Sequence, residues 1–181
     1  MEARENSPQS PRKHPDEPKE EEAPEDQETP LDSLECEICG NGYSNNRLPL
    51  IIKACGHTVC ENCIDILQEK SDWNCPSCRQ FSNVQVNDLP VNQSLLDYIL
   101  DRDRFDALAC IQCNFRFNEE REPLVLRECG HSICQSCVTT LGKNGFIVCM
   151  PCRKISFLSD AKTGQLPKNY AVLSVIRELN K

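Results

Sequence analysis

Eight cysteine and histidine positions occur twice in this chain at one fixed spacing. Cys36, Cys39, Cys55, His57, Cys60, Cys63, Cys75 and Cys78 return 74 residues later as Cys110, Cys113, Cys129, His131, Cys134, Cys137, Cys149 and Cys152, without a gap. Such a period constrains the fold more tightly than composition does, because each copy must be one structural unit and both must build the same one. The residues between agree in places: "RLPLIIKACGH" aligns with "REPLVLRECGH", Leu67 with Leu141, and Arg79 and Arg153 each follow the last cysteine. The similarity continues in "LPVNQSLLDYI" at 89–99 and "LPKNYAVLSVI" at 166–176, now offset by 77, so three residues were gained after Cys152. Both stretches read as a turn, a capping Asn (Asn92, Asn169) and a helix. Leu95, Leu96 and Ile99 share one helical face, as do Val172, Leu173, Ile176 and Leu179.

Fourteen cysteines in 181 residues serve either disulfides or metal. Disulfides need an oxidising compartment. The opening "MEARENSPQSPRKHPDEPKEEE" holds no apolar signal core, and no run of about 18 apolar residues predicts a membrane span. The expectation is a cytoplasmic or nuclear protein, not a secreted one, with reduced thiols. Zinc takes thiolate and neutral imidazole four at a time. Eight ligands per unit make two closed sites, and sixteen make four. That count leaves no cysteine over, and only His14 among the histidines. Spacing alone leaves open which pairs share an ion.

The net charge of −8 is concentrated at one end. Residues 1–30 carry ten acids and four bases, and six of the twelve prolines. With almost no apolar side chains, this segment cannot bury enough surface to offset its chain entropy, and it reads as a disordered acidic tail. Ser7, Ser10 and Thr29 each precede a proline and suit a proline-directed kinase. The near-neutral remainder lacks the concentrated basic face of a nucleic-acid binder.

The order C-x(2)-C-x(15)-C-x-H-x(2)-C-x(2)-C-x(11)-C-x(2)-C, with histidine fourth, is similar to the RING finger. The resemblance covers about 36–100 and 110–176. It implies small α+β zinc-binding domains: two tandem cross-brace RING fingers, each followed by a helix, at 31–104 and 105–181. In that family pairs one and three share an ion, as do pairs two and four. Carried over, Cys36, Cys39, Cys60 and Cys63 hold one zinc, and Cys55, His57, Cys75 and Cys78 a second. Cys110, Cys113, Cys134 and Cys137 hold a third, and Cys129, His131, Cys149 and Cys152 a fourth. So few residues cannot make a sufficient apolar core alone, whereas structural zinc supplies roughly 10–16 kcal/mol in zinc-finger peptides. The expected core is Val59, Ile64, Leu67 and Trp73, and in the second unit Ile133, Val138, Leu141 and either Phe146 or Ile147.

Closed zinc sites leave no open position for a catalytic water, and ligated cysteines leave no free nucleophile. The resemblance implies instead a ubiquitin ligase that works without a covalent intermediate. Such a protein docks a ubiquitin-charged conjugating enzyme and positions it for attack by a substrate lysine. By position, Ile38 and Pro76 match the family's docking residues, with Leu67 where some ligases carry Trp. Arg79 matches the residue that bridges enzyme and ubiquitin and promotes transfer. The second unit keeps Arg153 but has Gln112 for the apolar residue and Met150 for the proline, which predicts weaker docking. "LDSLECEIC" and the Leu-Pro-x-Asn helix look like tripartite-motif RINGs, whose flanking helices dimerise; there Asn92 and Asn169 match a residue that touches ubiquitin. This implies pairing of the two RINGs within the chain, or a homodimer. The alternative reading is a zinc-stabilised adaptor without ligase activity.

Overall fold

In each unit the chain makes a two-stranded ribbon, a short helix, a second ribbon and a second helix. The computed structural model describes residues 34–69, 73–82, 85–104, 106–158 and 165–181; the acidic tail read over 1–30 lies outside them. In the first unit β1 (Pro49–Ile51) pairs antiparallel with β2 (Thr58–Cys60), α1 spans Glu61–Gln68, β3 (Trp73–Asn74) pairs with β4 (Phe81–Ser82), and α2 spans Gln93–Leu100. The second unit repeats this order: β5 (Pro123–Val125) with β6 (Ser132–Cys134), α3 (Gln135–Leu141), β7 (Phe146–Val148) with β8 (Ile155–Phe157), then α4 (Tyr170–Leu179). Registers match as well, since Leu50 faces Val59 and Leu124 faces Ile133. The sequence period is therefore a structural one.

The buried side chains of both units belong to one hydrophobic cluster, from Leu34 to Ile176. Val59, Ile64 and Trp73 are buried as expected, as are Ile133 and Val138. Leu141 corrects an expectation, since it is exposed. Of the alternatives Phe146 and Ile147 it is Ile147 that turns inward, because β7 alternates exposed, buried, exposed. Leu67 is only half-buried at the core's edge.

The second helix of each unit, α2 or α4, is anchored by the segment before it. Ile51 N–H donates to the Pro90 carbonyl (2.9 Å) and Asn92 N–H to the Pro49 carbonyl (2.7 Å). Val125 with Pro167 and Asn169 with Pro123 repeat those bonds at 2.8 and 2.7 Å. Asn92 caps α2 through Leu95 N–H, and Asn169 caps α4 through Val172 N–H, both at 3.3 Å. Leu95, Leu96, Val172, Leu173 and Ile176 are buried, while Leu179 stays exposed at the end of α4.

The two units meet through equivalent surfaces. Asn92 Nδ2 donates to Asn169 Oδ1, and Asn169 Nδ2 to Asn92 Oδ1, both at 2.8 Å. The second proton of each amide goes to a hydroxyl of its own unit, Thr58 at 3.0 Å or Ser132 at 2.9 Å. With the helix caps included, both donors and the carbonyl of each amide are used, as complete burial requires. The reciprocity is that of a two-fold interface, here between halves of one chain. Gly56 and Gly130, in the repeated "CGH" turns, adopt positive φ (85° and 73°). A Cβ at Gly56 would overlap the Lys168 carbonyl oxygen, and one at Gly130 the Val91 carbonyl oxygen, each in the other unit. Ring stacking of His57 on Tyr170 (4.4 Å, 8° between planes) and the Lys53–Glu128 ion pair (3.4 Å) add to the contact.

This close approach separates two glycines that a sequence would treat alike. Gly130→Ala is expected to lower stability by about 2–4 kcal/mol, from backbone strain plus overlap. Gly40 also has positive φ but nothing near a Cβ, so Gly40→Ala incurs only the strain, about 1–2 kcal/mol. Thermal unfolding of both variants in the presence of zinc checks the difference.

Candidate metal centre

The ribbons and short helices bring sixteen ligand atoms into four groups. Cys36 and Cys39 meet Cys60 and Cys63; Cys55 and His57 meet Cys75 and Cys78; the second unit repeats both with Cys110, Cys113, Cys134, Cys137 and with Cys129, His131, Cys149, Cys152. Within each group the ligand atoms lie within 4.8 Å of one another. These are the crossed pairings implied by the RING resemblance. The cause is local: β2 ends at Cys60, α1 starts immediately after it, and Cys63 falls within the first turn of that helix. β6 and α3 do the same for Cys134 and Cys137.

The distances fit a tetrahedral zinc. Zn–S bonds of about 2.3 Å place two thiolates of a tetrahedron about 3.8 Å apart. Cys39 and Cys60 are 3.8 Å apart, as are Cys113 and Cys134. None of the fourteen cysteines is disulfide-bonded. His57 Nδ1 lies 3.4 Å from Cys55 Sγ. His131 Nδ1 is buried without a hydrogen-bond partner, and burial holds the imidazole below its usual pKa, hence neutral. An orphaned acceptor facing three thiols suits a metal ligand. Each of the four groups is thus suited to one zinc ion, two per unit, with every tetrahedral position filled by the protein.

The metal-free thiols crowd one another. Cys75 is lowered to about 5, chiefly by its hydrogen bond with Cys55, and the same bond is the main reason that Cys55 is pushed up. Zinc removes this conflict by taking all ligands as anions or neutral imidazole, so loading releases protons.

Each all-cysteine group has an arginine beside it. Arg47 Nη1 lies 3.7 Å from Cys60 Sγ and 3.9 Å from Cys39 Sγ; Arg121 Nη1 lies 4.0 Å from Cys113 Sγ. Arg121 also stacks over Phe115 at 4.7 Å. Zinc with four thiolates carries a net charge of −2, and a guanidinium close by offsets part of it. The all-cysteine groups differ by one charge from the histidine-containing ones. The two arginines are the first letters of the aligned "RLPL" and "REPL", a signal present in the sequence but not assigned to the metal.

A second regularity concerns the residue after each terminal Cys-x-x-Cys pair. Gly40, Arg79, Asn114 and Arg153 all have positive φ, from 56° to 62°, and each N–H returns to the carbonyl of the pair's first cysteine at 2.7–2.8 Å. Glycine or asparagine adopts this geometry readily; arginine is strained there. Arg79 and Arg153 are both exposed, with side chains projecting beside the knuckle.

The other expected surface residues differ in their exposure. Ile38 (41% exposed) and Pro76 stand on neighbouring knuckles of the first unit, joined by a 2.6 Å hydrogen bond from Ser77 Oγ to Glu37. Half-buried Leu67 is on α1. Asn92 corrects the expectation of a partner contact: it is 0% exposed and fully engaged by the cap and by Asn169. In the second unit Gln112, Met150 and Pro151 are exposed.

A zinc-RING finger domain model matches residues 35–80, and a RING-type zinc-finger model matches residues 110–150. The chain is similar to the E3 ubiquitin-protein ligase TRIM32 of Homo sapiens, 27% identical over 128 residues, covering 67% of this chain and 16% of that protein. It is 38% identical over 77 residues to the E3 ubiquitin-protein ligase KEG of Arabidopsis thaliana, covering 40% of this chain and 5% of that one. With the E3 ubiquitin-protein ligase TRIM21 of Bos taurus it shares 34% identity over 71 residues, 39% of this chain and 14% of the other. The chain spans about a sixth or less of the length of these relatives.

Native mass spectrometry is expected to report four zinc ions per chain, and a strong chelator to unfold both units. Because protons compete with zinc for the thiolates, the affinity falls as pH is lowered. Arg47→Met and Arg121→Met are each expected to speed zinc loss to a chelator roughly tenfold, from the all-cysteine site of their own unit alone. Release kinetics followed with a metallochromic dye check this.

Proposed function

We propose that this tandem RING-type zinc-finger protein, which resembles tripartite-motif ubiquitin ligases, promotes ubiquitin transfer from a conjugating enzyme to a substrate lysine, with the first unit as the main docking site. The observation that carries the proposal is the first unit's pair of knuckles. Ile38 and Pro76 are exposed on loops joined by the Ser77–Glu37 bond, and Leu67 is half-buried on α1. Apolar residues on loops that are already ordered bind without that ordering cost. The second unit offers Gln112 in place of Ile38, and a polar amide loses water there without an assured partner.

In the reaction, the lysine amine attacks the carbonyl carbon of the ubiquitin thioester. The new C–N bond replaces the C–S bond, the conjugating enzyme's cysteine leaves as thiolate, and the amine loses a proton. This chain forms no bond in that sequence. It positions: Ile38, Leu67 and Pro76 hold the enzyme, and Arg79 reaches towards ubiquitin as a hydrogen-bond donor. The strained arginine after Cys78, where glycine would sit at lower cost, supports a role for that side chain. The second unit acts as a brace for the first through Asn169 and Tyr170.

The test is single-turnover discharge of ubiquitin-charged conjugating enzymes onto free lysine, across a panel of enzymes. Ile38→Ala is expected to slow discharge about tenfold through lost apolar contact, and Gln112→Ala to leave it unchanged. Arg79→Gly separates strain from function: it reduces discharge while stability stays within about 1 kcal/mol of the parent, because relief of strain offsets added chain entropy. If the full chain accelerates no enzyme of the panel, the protein is a zinc-stabilised adaptor.

A further inference from the structure

The second ribbon of the second unit presents an apolar face that its counterpart lacks. β7 and β8 both alternate exposed, buried, exposed. The exposed positions are Phe146, Val148, Ile155 and Phe157, the last 68% exposed. The register sets Phe146 opposite Phe157 and Val148 opposite Ile155, so the four form two cross-strand pairs on one side of the sheet. In the first unit the pair equivalent to Val148 and Ile155 is Asn74 and Phe81. The fold therefore does not need an apolar pair there. Large side chains left in water across adjacent positions mark a surface that is covered by something else.

Charge indicates what covers it. Residues 141–158 contain Lys143, Arg153 and Lys154 and no acid, within a chain of net charge −8. A second copy of the same face would set three bases against three bases, and an anionic membrane would meet a protein that is acidic in total. An acidic protein segment avoids the first obstacle, and a short one stays over the stretch with three bases and no acid, where an extended anionic surface would also face the chain's acids. We propose that the β7–β8 face is a docking site for an extended, acidic segment of a partner protein, whose apolar side chains sit on the two pairs while its carboxylates face Lys143, Arg153 and Lys154. The site depends on the ligase reading only in that the partner would then be a substrate; the binding itself requires neither conjugating enzyme nor ubiquitin.

The experiment pans random 12-residue peptides displayed on phage against the zinc-loaded full chain, and measures synthetic versions of the enriched peptides by fluorescence anisotropy. Enriched peptides are expected to combine apolar residues with Asp or Glu. Val148→Asn, which copies the first unit, and Phe157→Ser are each expected to weaken binding at least tenfold, and Lys154→Glu to weaken it comparably and to reduce its salt dependence. All three variants are to retain four zinc ions, and Ile38→Ala is to leave peptide binding unchanged even where it impairs transfer. The proposal is overturned if no acidic peptide is enriched, or if Val148→Asn and Phe157→Ser bind as the parent does. It is also overturned if the face proves to mediate self-association, seen as a concentration-dependent dimer in sedimentation that Phe157→Ser abolishes, or binding to phosphatidylserine vesicles that the peptides do not compete.

Discussion

Four sulfurs, or three and an imidazole, held within 4.8 Å of one another are not a stable arrangement by themselves. Desolvated thiols compete for protons, and thiolates repel. A zinc ion turns this liability into the strongest contact in each unit, and every other element is arranged around it. β2 and β6 end on a ligand, α1 and α3 start beside it, and the second ribbons β3–β4 and β7–β8 carry the last knuckle between their strands. Val59, Ile64 and Trp73 are buried beside these ligands in one hydrophobic cluster that runs through both units. The guanidinium of Arg47 or Arg121 belongs to the same constraint, since it offsets charge where four thiolates meet one divalent ion.

The contact between units follows a different logic. Asn92 and Asn169 cap their own helices and also bond to each other, so helix formation and pairing of the units share two side chains. A buried amide with all its hydrogen bonds made adds little net stability but penalises any other alignment, which would leave it unsatisfied. Gly56 and Gly130 enforce the same alignment sterically by admitting a carbonyl of the opposite unit. Two RING units in one chain can thus reproduce a two-fold pair, with the partner always at hand.

Pairing two copies frees their outer surfaces to differ. The first unit shows Ile38 and Pro76 on its knuckles where the second shows Gln112 and Met150. The second shows Val148 on its second ribbon where the first shows Asn74. Neither difference touches a metal ligand or the pairing face. An apolar knuckle on one unit and an apolar ribbon on the other are differences laid over a common scaffold.

Much of this was legible from residue order. The period of 74, the exhaustion of cysteines by metal, the capped helices and the family resemblance follow from side-chain chemistry, because zinc ligands and helix caps are local and few residue types can serve. The core was legible only in part. Leu141 was expected inside on grounds of apolarity, but the end of a seven-residue helix puts it in water, and the choice between Phe146 and Ile147, open in the residue order, is settled by the strand alternation. Asn92 was matched to a partner surface because a sequence cannot show that an exposed-looking amide has a twin 77 residues away. Arg47 and Arg121 stood in the alignment without a stated purpose, since their thiolate partners are reached only when the chain folds back. The sequence by itself determined which residues bind metal, because zinc ligands are few in type and closely spaced, while how they pair came from the family resemblance and the fold. Only the tertiary structure decided how the units face each other and which apolar residues remain outside, because both depend on contacts between segments that no spacing relates.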